Sequence, residues 1–167
     1  MKILADIKDG QIPKGDLSVK LRKAVRAVAF DTKDQIPILF VSKFHYHKLP
    51  GGGIEPGEDK HQALQREVEE ESGCQIQIIK EIGQVIEYRS EWSLKQISYS
   101  YLAKIVSKGE LKFTKEESED GFQLQWMTLD EAVSVFEKEA ENLEGYEPPF
   151  INKRDLAILK GAKLSIT

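Results

Sequence analysis

The 167-residue sequence has only one cysteine, Cys74. A lone thiol excludes an internal disulfide framework and any cysteine-rich zinc site. Long apolar runs are missing too. The longest, Ile36–Val41, contains Pro37 and is far too short to span a bilayer. Asp6 and Asp9 fall where a secretory leader would need its apolar centre, so no leader is expected and the expected location is the cytoplasm. There is no internal repeat, low-complexity tract or Pro/Ser-rich linker, and the length suits one core. Residues 1–167 therefore read as one domain. Residues 1–20 read as an irregular N-terminal extension, because Gly10, Pro13 and Gly15 interrupt any regular element. An excess of positive charge is also absent: 24 Lys/Arg face 28 Asp/Glu, a net charge of -4. That balance does not favour a nucleic-acid partner. With 40% apolar and 31% charged residues, neither a disordered chain nor a membrane protein fits, and no membrane partner is expected.

The charge that is present is uneven. Residues 1–50 carry ten basic and five acidic residues, while residues 51–167 are strongly acidic. The hydrophobic pattern is mixed. Val25–Phe30 and Ile36–Ser42 read as strands joined by a polar turn, and Lys48–Gly57 as a Gly/Pro-dense loop. Glu58–Ser72 follows as a helix stopped by Gly73. Ile76–Ile79, Gly83–Arg89, Lys95–Val106 and Phe122–Met127 read as strands, with period-two alternation clearest in the third. Thr128 is placed to cap a helix over Leu129–Glu139, with Glu131 at the capping-box position. A last helix is expected around Asn152–Ala162, with Leu156, Leu159 and Leu164 facing inward. The expected fold class is α/β with a mixed sheet, since regular βαβ alternation and an all-β pattern are both absent.

Chemistry concentrates in Gly51–Cys74, GGGIEPGEDKHQALQREVEEESGC, which holds seven acids and two bases. Glu67, Glu70 and Glu71 are spaced i, i+3, i+4 and share one helix face, where like charges repel. A glutamate run by itself is most often a solvated helix face. Here a hard divalent cation would supply the missing positive charge, and Mg²⁺ suits carboxylate oxygens and shared phosphates. Just upstream, Gly51, Gly52 and Gly53 follow a strand and precede the helix. Such a loop can approach an anion closely, which makes Gly52 and Gly53 candidate substrate contacts.

This stretch resembles the Nudix box, G-x5-E-x7-R-E-U-x-E-E-x-G-U, where U is a bulky aliphatic. Gly52, Glu58, Arg66, Glu67, Val68, Glu70, Glu71 and Gly73 match the first eight specified positions, and the ninth, normally aliphatic, is Cys74. At typical residue frequencies eight such matches arise by chance in a chain of this length about once in 10⁷. The resemblance implies the Nudix fold, an α/β/α sandwich with a mixed sheet between helices. It implies hydrolysis of a diphosphate linkage in a nucleoside diphosphate derivative, with Mg²⁺ or Mn²⁺ as cofactor. Carried over by position, Glu67, Glu70 and Glu71 would hold metal, joined by the Gly51 carbonyl. Arg66 would orient the glutamates, Glu58 would set the loop-to-helix geometry, and Gly73 would end the helix. Family members differ in their general base, so Glu70 is one catalytic candidate and Glu119, in the acidic run after Lys115, is another.

Other residues carry weaker expectations. Arg22, Lys23 and Arg26 are candidates for a phosphate, with Arg26 foremost. Tyr46, Tyr88, Trp92 and Tyr99 are candidates for a wall that stacks on a base, although each is individually more often core or surface. His45 and His47 are expected on one side of a strand, in packing or substrate contact; His61 is expected to be exposed, and Trp126 to lie in the core. The expected partner is a small nucleotide, with a nucleoside triphosphate, oxidised or not, ahead of ADP-ribose or a nucleotide sugar. A non-catalytic nucleotide-sensing module is the rival reading, and the intact carboxylates count against it. Dimers are common in similar proteins, so a homodimer stays open.

Overall fold

A computed structural model describes residues 1–15 and 17–167. The strands are β1 (Ile3–Lys8), β2 (Lys20–Phe30), β3 (Gln35–Val41), β4 (Tyr46–Lys48), β5 (Cys74–Arg89), β6 (Leu94–Lys108) and β7 (Phe122–Thr128). The helices are α1 (Lys60–Ser72), α2 (Lys115–Glu119), α3 (Leu129–Glu139) and α4 (Glu147–Ile166). The strands form a mixed sheet in the order β1-β5-β6-β2 and an antiparallel sheet in the order β4-β3-β7. In the first, β1 runs parallel to β5 and β2 parallel to β6, while β5 and β6 form a long antiparallel pair. No described helix is long and apolar enough to cross a membrane.

β2 explains why helices lie on two sides. Its segment Ala24–Ala29 is buried without a break, the mark of a strand covered on both faces. Val25, Ala27 and Ala29 pack with Ala63, Leu64 and Val68 of α1. Val28 packs in a second core with Phe136 of α3 and Ile158 and Leu159 of α4. The expected α/β class with a mixed sheet between helices is borne out.

Several elements follow their local signals. Asp59 caps α1 by accepting from His61 and Gln62 backbone N–H groups at 2.8 and 2.9 Å, and the Gln62 side chain returns a bond to Asp59. The helix thus begins after Glu58, two residues later than read. Thr128 caps α3 in a capping box with Glu131, as its position predicts. Gly73 ends α1 in the left-handed region at φ 69°. The carbonyl of Gly109 lies where a side chain there would point, so glycine answers both a conformational and a steric demand.

Other expectations need correction. The N-terminal residues are not wholly irregular, since Ile3–Lys8 adds a parallel strand to β5. That strand is locked at its end by Asp9, which accepts from Ser90 N–H at 2.8 Å, Ser90 hydroxyl at 2.9 Å and the Tyr146 hydroxyl at 2.7 Å. Ile76–Ile79 and Gly83–Arg89 are one strand, bent by irregularities near Ile76, Lys80 and Gly83 that scramble its alternation. α4 begins earlier than read, with Pro148 and Pro149 inside its first turn, where no backbone donor is needed. Leu164 is 75% exposed near the end of α4 and does not face the core. His45 is left-handed (φ 54°) and lies outside β4, so it does not share a strand face with His47. His47 instead meets Glu139 and Gln125 at 2.8 and 3.1 Å, a packing role.

Replacement of Gly73 by Ala is expected to destabilise the protein by about 2 kcal/mol or more, from the left-handed backbone and the contact with Gly109 together. Urea denaturation of both proteins measures it, and an unchanged midpoint would contradict the packing described.

Candidate active site

The glycine loop is tied along β2 rather than left as a free turn, with an antiparallel bridge between Gly53 and Ala24. Pro50 and Gly52 carbonyls accept from Ala27 and Val25 N–H groups of β2 at 3.1 and 2.9 Å, and Ile54 N–H reaches Lys23 at 2.9 Å. The loop therefore runs along the open edge of β2. This close approach requires glycine. At Gly51 (φ 141°) a Cβ would strike the Val25 carbonyl, and at Gly52 it would strike the Glu67 carboxylate.

Arg66 fastens this loop to α1. Its Nε and Nη2 donate to the two oxygens of Glu58 at 2.6 and 2.9 Å, and Nη2 also donates to the Gly53 carbonyl at 3.0 Å. Nη1 reaches Glu67 at 2.9 Å and Glu70 at 3.4 Å. One planar guanidinium thus answers three carboxylates and one carbonyl, as its fork of donors permits. The bond from Arg66 holds the Glu58 carboxyl down at about 2.

The three helix glutamates have different surroundings. Glu71 is 2% exposed and accepts from Lys48 Nζ at 3.0 Å and from Gly51 N–H at 2.8 Å. Burial raises its carboxyl in spite of Lys48. Glu67 lies against Gly52 and beside Arg66. Glu70 is more open; partial burial, with the negative charges of Glu67 and Glu117 added, raises its carboxyl against the pull of Arg66.

Glu67, Glu71 and Gly51–Gly53 line a cavity of about 240 Å³. Its remaining wall is rich in cations: Arg22 and Arg26 from β2, Lys48 from β4, Arg89 from the end of β5 and Arg154 from α4. Tyr46, Glu117, Glu147 and Ile151 complete it. Glu70 opens instead onto an adjoining shallow surface with Arg66, Glu69 and Lys112. The site residues read from the box are therefore gathered in one region.

Arg26 is also brought there, buried to 4% exposure. Burial, reinforced by Arg154, lowers its guanidinium to about 10. Lys23 is not among the lining residues, whereas Arg22 is. Glu119 is 63% exposed on α2, 3.8 Å from Lys115, and does not reach the cavity; its neighbour Glu117 does. The aromatic candidates disperse. Only Tyr46 lines the cavity, and burial pushes its hydroxyl up to about 12. Tyr88 is buried, Trp92 is half exposed, and Tyr99 lies under Lys60 at 4.0 Å. Trp126 is partly buried beneath Lys108, and His61 is exposed with its ring edge on Tyr101.

Three cavity cations went unread in the sequence: Lys48, Arg89 and Arg154. Arg154 had a usable signal. Ile151, Arg154, Asp155, Ile158, Leu159 and Ala162 are buried at helical spacing, so a charged pair stands at core positions of an apolar stripe. Such a pair must be compensated inside, and Arg154 bonds Asp155 at 2.7 and 3.1 Å. Asp155 also accepts from Leu49 N–H at 2.8 Å, which holds the start of the glycine loop. Arg89 has only a local hint, Glu87 two residues away on the same strand, and its second partner Glu147 arrives from α4.

The donors suit a hard divalent cation: they are oxygens only, their charge is not fully balanced at Glu70, and the Gly51 carbonyl accepts no hydrogen bond among the described residues. They are not preassembled. Among the described residues no three acidic, His or Cys side chains converge as a ligand set, and both Glu71 oxygens are engaged by Lys48 and Gly51. The donor chemistry of the residues present fits such a cation.

Comparison with known proteins gives a consistent answer. The family model described as NUDIX domain matches residues 20–148. A NUDIX hydrolase from Nitrosomonas europaea superposes with a TM-score of 0.66 at 18% identity, over 87% of this chain and 90% of that one. A MutT protein from Methanosarcina mazei Go1 gives 0.63 at 20% identity, over 91% and 100%. The Ap4A hydrolase of C. elegans gives 0.59 at 17% identity, over 89% and 100%. At these identities the solved structures speak to the fold. No curated protein matches the chain.

The Glu58–Arg66 pair has a pH signature. The Glu58 carboxyl is depressed from its ordinary 4.5 to about 2, so its contribution is complete above pH 4.5 and is lost as pH falls towards 2. In an Arg66→Met variant the larger part of that depression is lost, and the part due to the Glu55 N–H remains. The stability difference between the two proteins, followed by urea denaturation, should therefore be largest near pH 7 and shrink below pH 4.5. A difference independent of pH would refute the pairing.

Proposed function

The chain belongs to the Nudix family, and from that premise we propose that it is a divalent-metal-dependent hydrolase that cuts a diphosphate linkage in a nucleotide, a nucleoside triphosphate in the first instance. The observation that carries this reading is the meeting of an acidic helix face and a cation-lined wall in one cavity. Both suit a polyphosphate: the glutamates would hold a metal that offsets part of its charge, and the fixed cations would answer the rest.

Glu67, Glu70 and Glu71, with the Gly51 carbonyl, would hold Mg²⁺ or Mn²⁺. Bound there, the metal would neutralise charge growing on the phosphoryl oxygens and make a bound water more acidic. The chain's own groups do the rest. Gly52 and Gly53 let the loop come within contact distance of Glu67 and of Arg22, at the border of the cavity in which a phosphate would sit. Arg66 keeps Glu67 and Glu70 oriented before substrate arrives, which lowers the reorganisation needed in the transition state. Glu70 is our candidate base, because it is the most open of the three helix glutamates and has an oxygen to spare for a water. Glu117 supports it from α2, where its negative charge helps raise Glu70. Lys48, bonded to Glu71, holds the place of positive charge and can transfer its attention to the substrate.

Substitution of Glu70 by Gln should lower kcat for Mg²⁺-dependent nucleotide hydrolysis by about a hundredfold or more. The assay runs across nucleoside triphosphates, nucleotide sugars and dinucleoside polyphosphates, and an unchanged rate on every substrate that wild-type turns over would sink the proposal. Glu117→Gln should cost about tenfold and Glu119→Gln less than about twofold, a contrast that steady-state kinetics on the same substrate will read.

A further inference from the structure

α4 enters the fold without a local cap. α1, α2 and α3 each begin in a capping box, whereas Tyr146, at the head of α4, is helical and makes no side-chain cap bond. Gly145 before it is left-handed at φ 88°, so the helix is approached through a glycine turn. Yet the first turns of this helix carry Glu147, Ile151 and Arg154 into the cavity wall. A helix end without a cap takes its position from tertiary contacts.

Those contacts come from the N-terminal strand. The carboxylate of Asp9, just past β1, accepts from the Tyr146 hydroxyl at 2.7 Å and from the N–H and hydroxyl of Ser90 at 2.8 and 2.9 Å. The Tyr146 oxygen accepts in turn from Glu91 N–H at 3.1 Å. The end of β1, the turn after β5 and the head of α4 therefore meet at one carboxylate. Arg89 precedes Ser90 in the chain, and Glu147 follows Tyr146. These two residues bond each other at 2.9 Å and line the cavity. Asp9, itself exposed, thus clasps the outside of a joint whose inside is cavity wall. The rings of Trp92 and Phe150 each lie 5.4 Å from the Arg89 guanidinium. Tyr146 stands edge-on to both rings, at 5.3 and 5.4 Å, so the residue that Asp9 holds also packs the supports of Arg89.

What this joint offers a ligand differs from the rest of the wall. Arg89 is answered by two carboxylates, Glu87 as well as Glu147, so its charge is not left over for a phosphate. Polar groups remain all the same. One oxygen of Glu147, half exposed, accepts no hydrogen bond among the described residues, and the buried Nε of Arg89 has no partner. An uncharged polar moiety, a ribose or a base, matches one donor beside one acceptor.

We propose that Asp9 is a positioning residue for the nucleoside part of the substrate: by clasping Ser90 and Tyr146 it fixes the Arg89–Glu147 pair in the cavity wall. The N-terminal strand then sets how tightly the nucleoside is held and takes no part in the bond that is cut. The inference rests on the nucleotide reading above, in which the α1 glutamates serve the diphosphate.

The test is made in binding, with chelator present. Calorimetric titration compares ATP, GTP, CTP and UTP with tripolyphosphate, which has the phosphates and no nucleoside. Wild-type should bind at least one of these nucleotides more tightly than tripolyphosphate; equal or weaker binding of all of them would overturn the proposal. Asp9→Ala should weaken the preferred nucleotide about fivefold and leave tripolyphosphate within about twofold. Tyr146→Phe keeps the ring and loses only the hydroxyl, and it should do the same. The double variant should lose no more than Asp9→Ala alone, because both changes open one clasp. A clasp that serves only the fold would weaken both kinds of ligand together or neither, and either result overturns the proposal. Losses that add in the double variant overturn it too. If Asp9→Ala does not fold, Tyr146→Phe decides by the same comparison. A failure of the hydrolase reading appears in the Glu70→Gln assay, and a failure of the clasp appears here, in binding alone.

Discussion

The guanidinium of Arg66 is the joint on which this site depends. It spans the gap between the glycine loop and α1, bonding Glu58 and Gly53 on the loop side and Glu67 and Glu70 on the helix side. Without it, carboxylates at i, i+3 and i+4 would repel one another and the loop would lose its main tie to the helix. The side chain is partly exposed, so single contacts are worth little, but a planar fork that satisfies several acceptors at once fixes geometry. The loop is held on its other side by β2 and by Asp155, so a short segment is gripped by three elements.

β2 plays the corresponding part in the framework. Buried on both faces, it gives small and branched residues to the α1 core and Val28 to the α3–α4 core, and its open edge receives the glycine loop. Arg22 and Arg26 occupy the same strand, so part of the cationic wall is anchored in this framework. Arg26, in the buried stretch of that strand, cannot relax towards solvent as a loop lysine would. The burial that stabilises the fold therefore also concentrates charge at the cavity.

The distribution of charge takes on a sharper meaning in this arrangement. The overall -4 conceals an acidic segment at residues 51–74 and a basic first third of the chain. Folding sets these against each other, with the helix glutamates and the β2 arginines bordering one cavity. The Nudix family generally uses a divalent metal, and the oxygen donors here suit one. A cation on the glutamates and a polyanion on the arginines would each relieve a charge that the chain alone leaves unbalanced.

Much of this was legible from residue order alone. The spacing of Gly52, Glu58, Arg66, Glu67, Glu70, Glu71 and Gly73 identified the box, because these residues interact within one loop and helix. The caps at Thr128 and Gly73 were equally readable, since capping is local chemistry. Tertiary structure alone decided the rest. That Ile3–Lys8 becomes a strand follows from pairing with β5, some eighty residues away, and no local pattern encodes it. Glu117 rather than Glu119 faces the cavity because of how a short helix is turned against β7, a choice that two residues in an acidic run do not reveal. Arg89 and Arg154 join Arg26 only when β5, α4 and β2 meet. Local hydrogen bonds and helical periodicity are written in neighbouring residues, whereas the unpaired charge of Arg26 depends on which carboxylates folding brings near, and those come from distant parts of the chain.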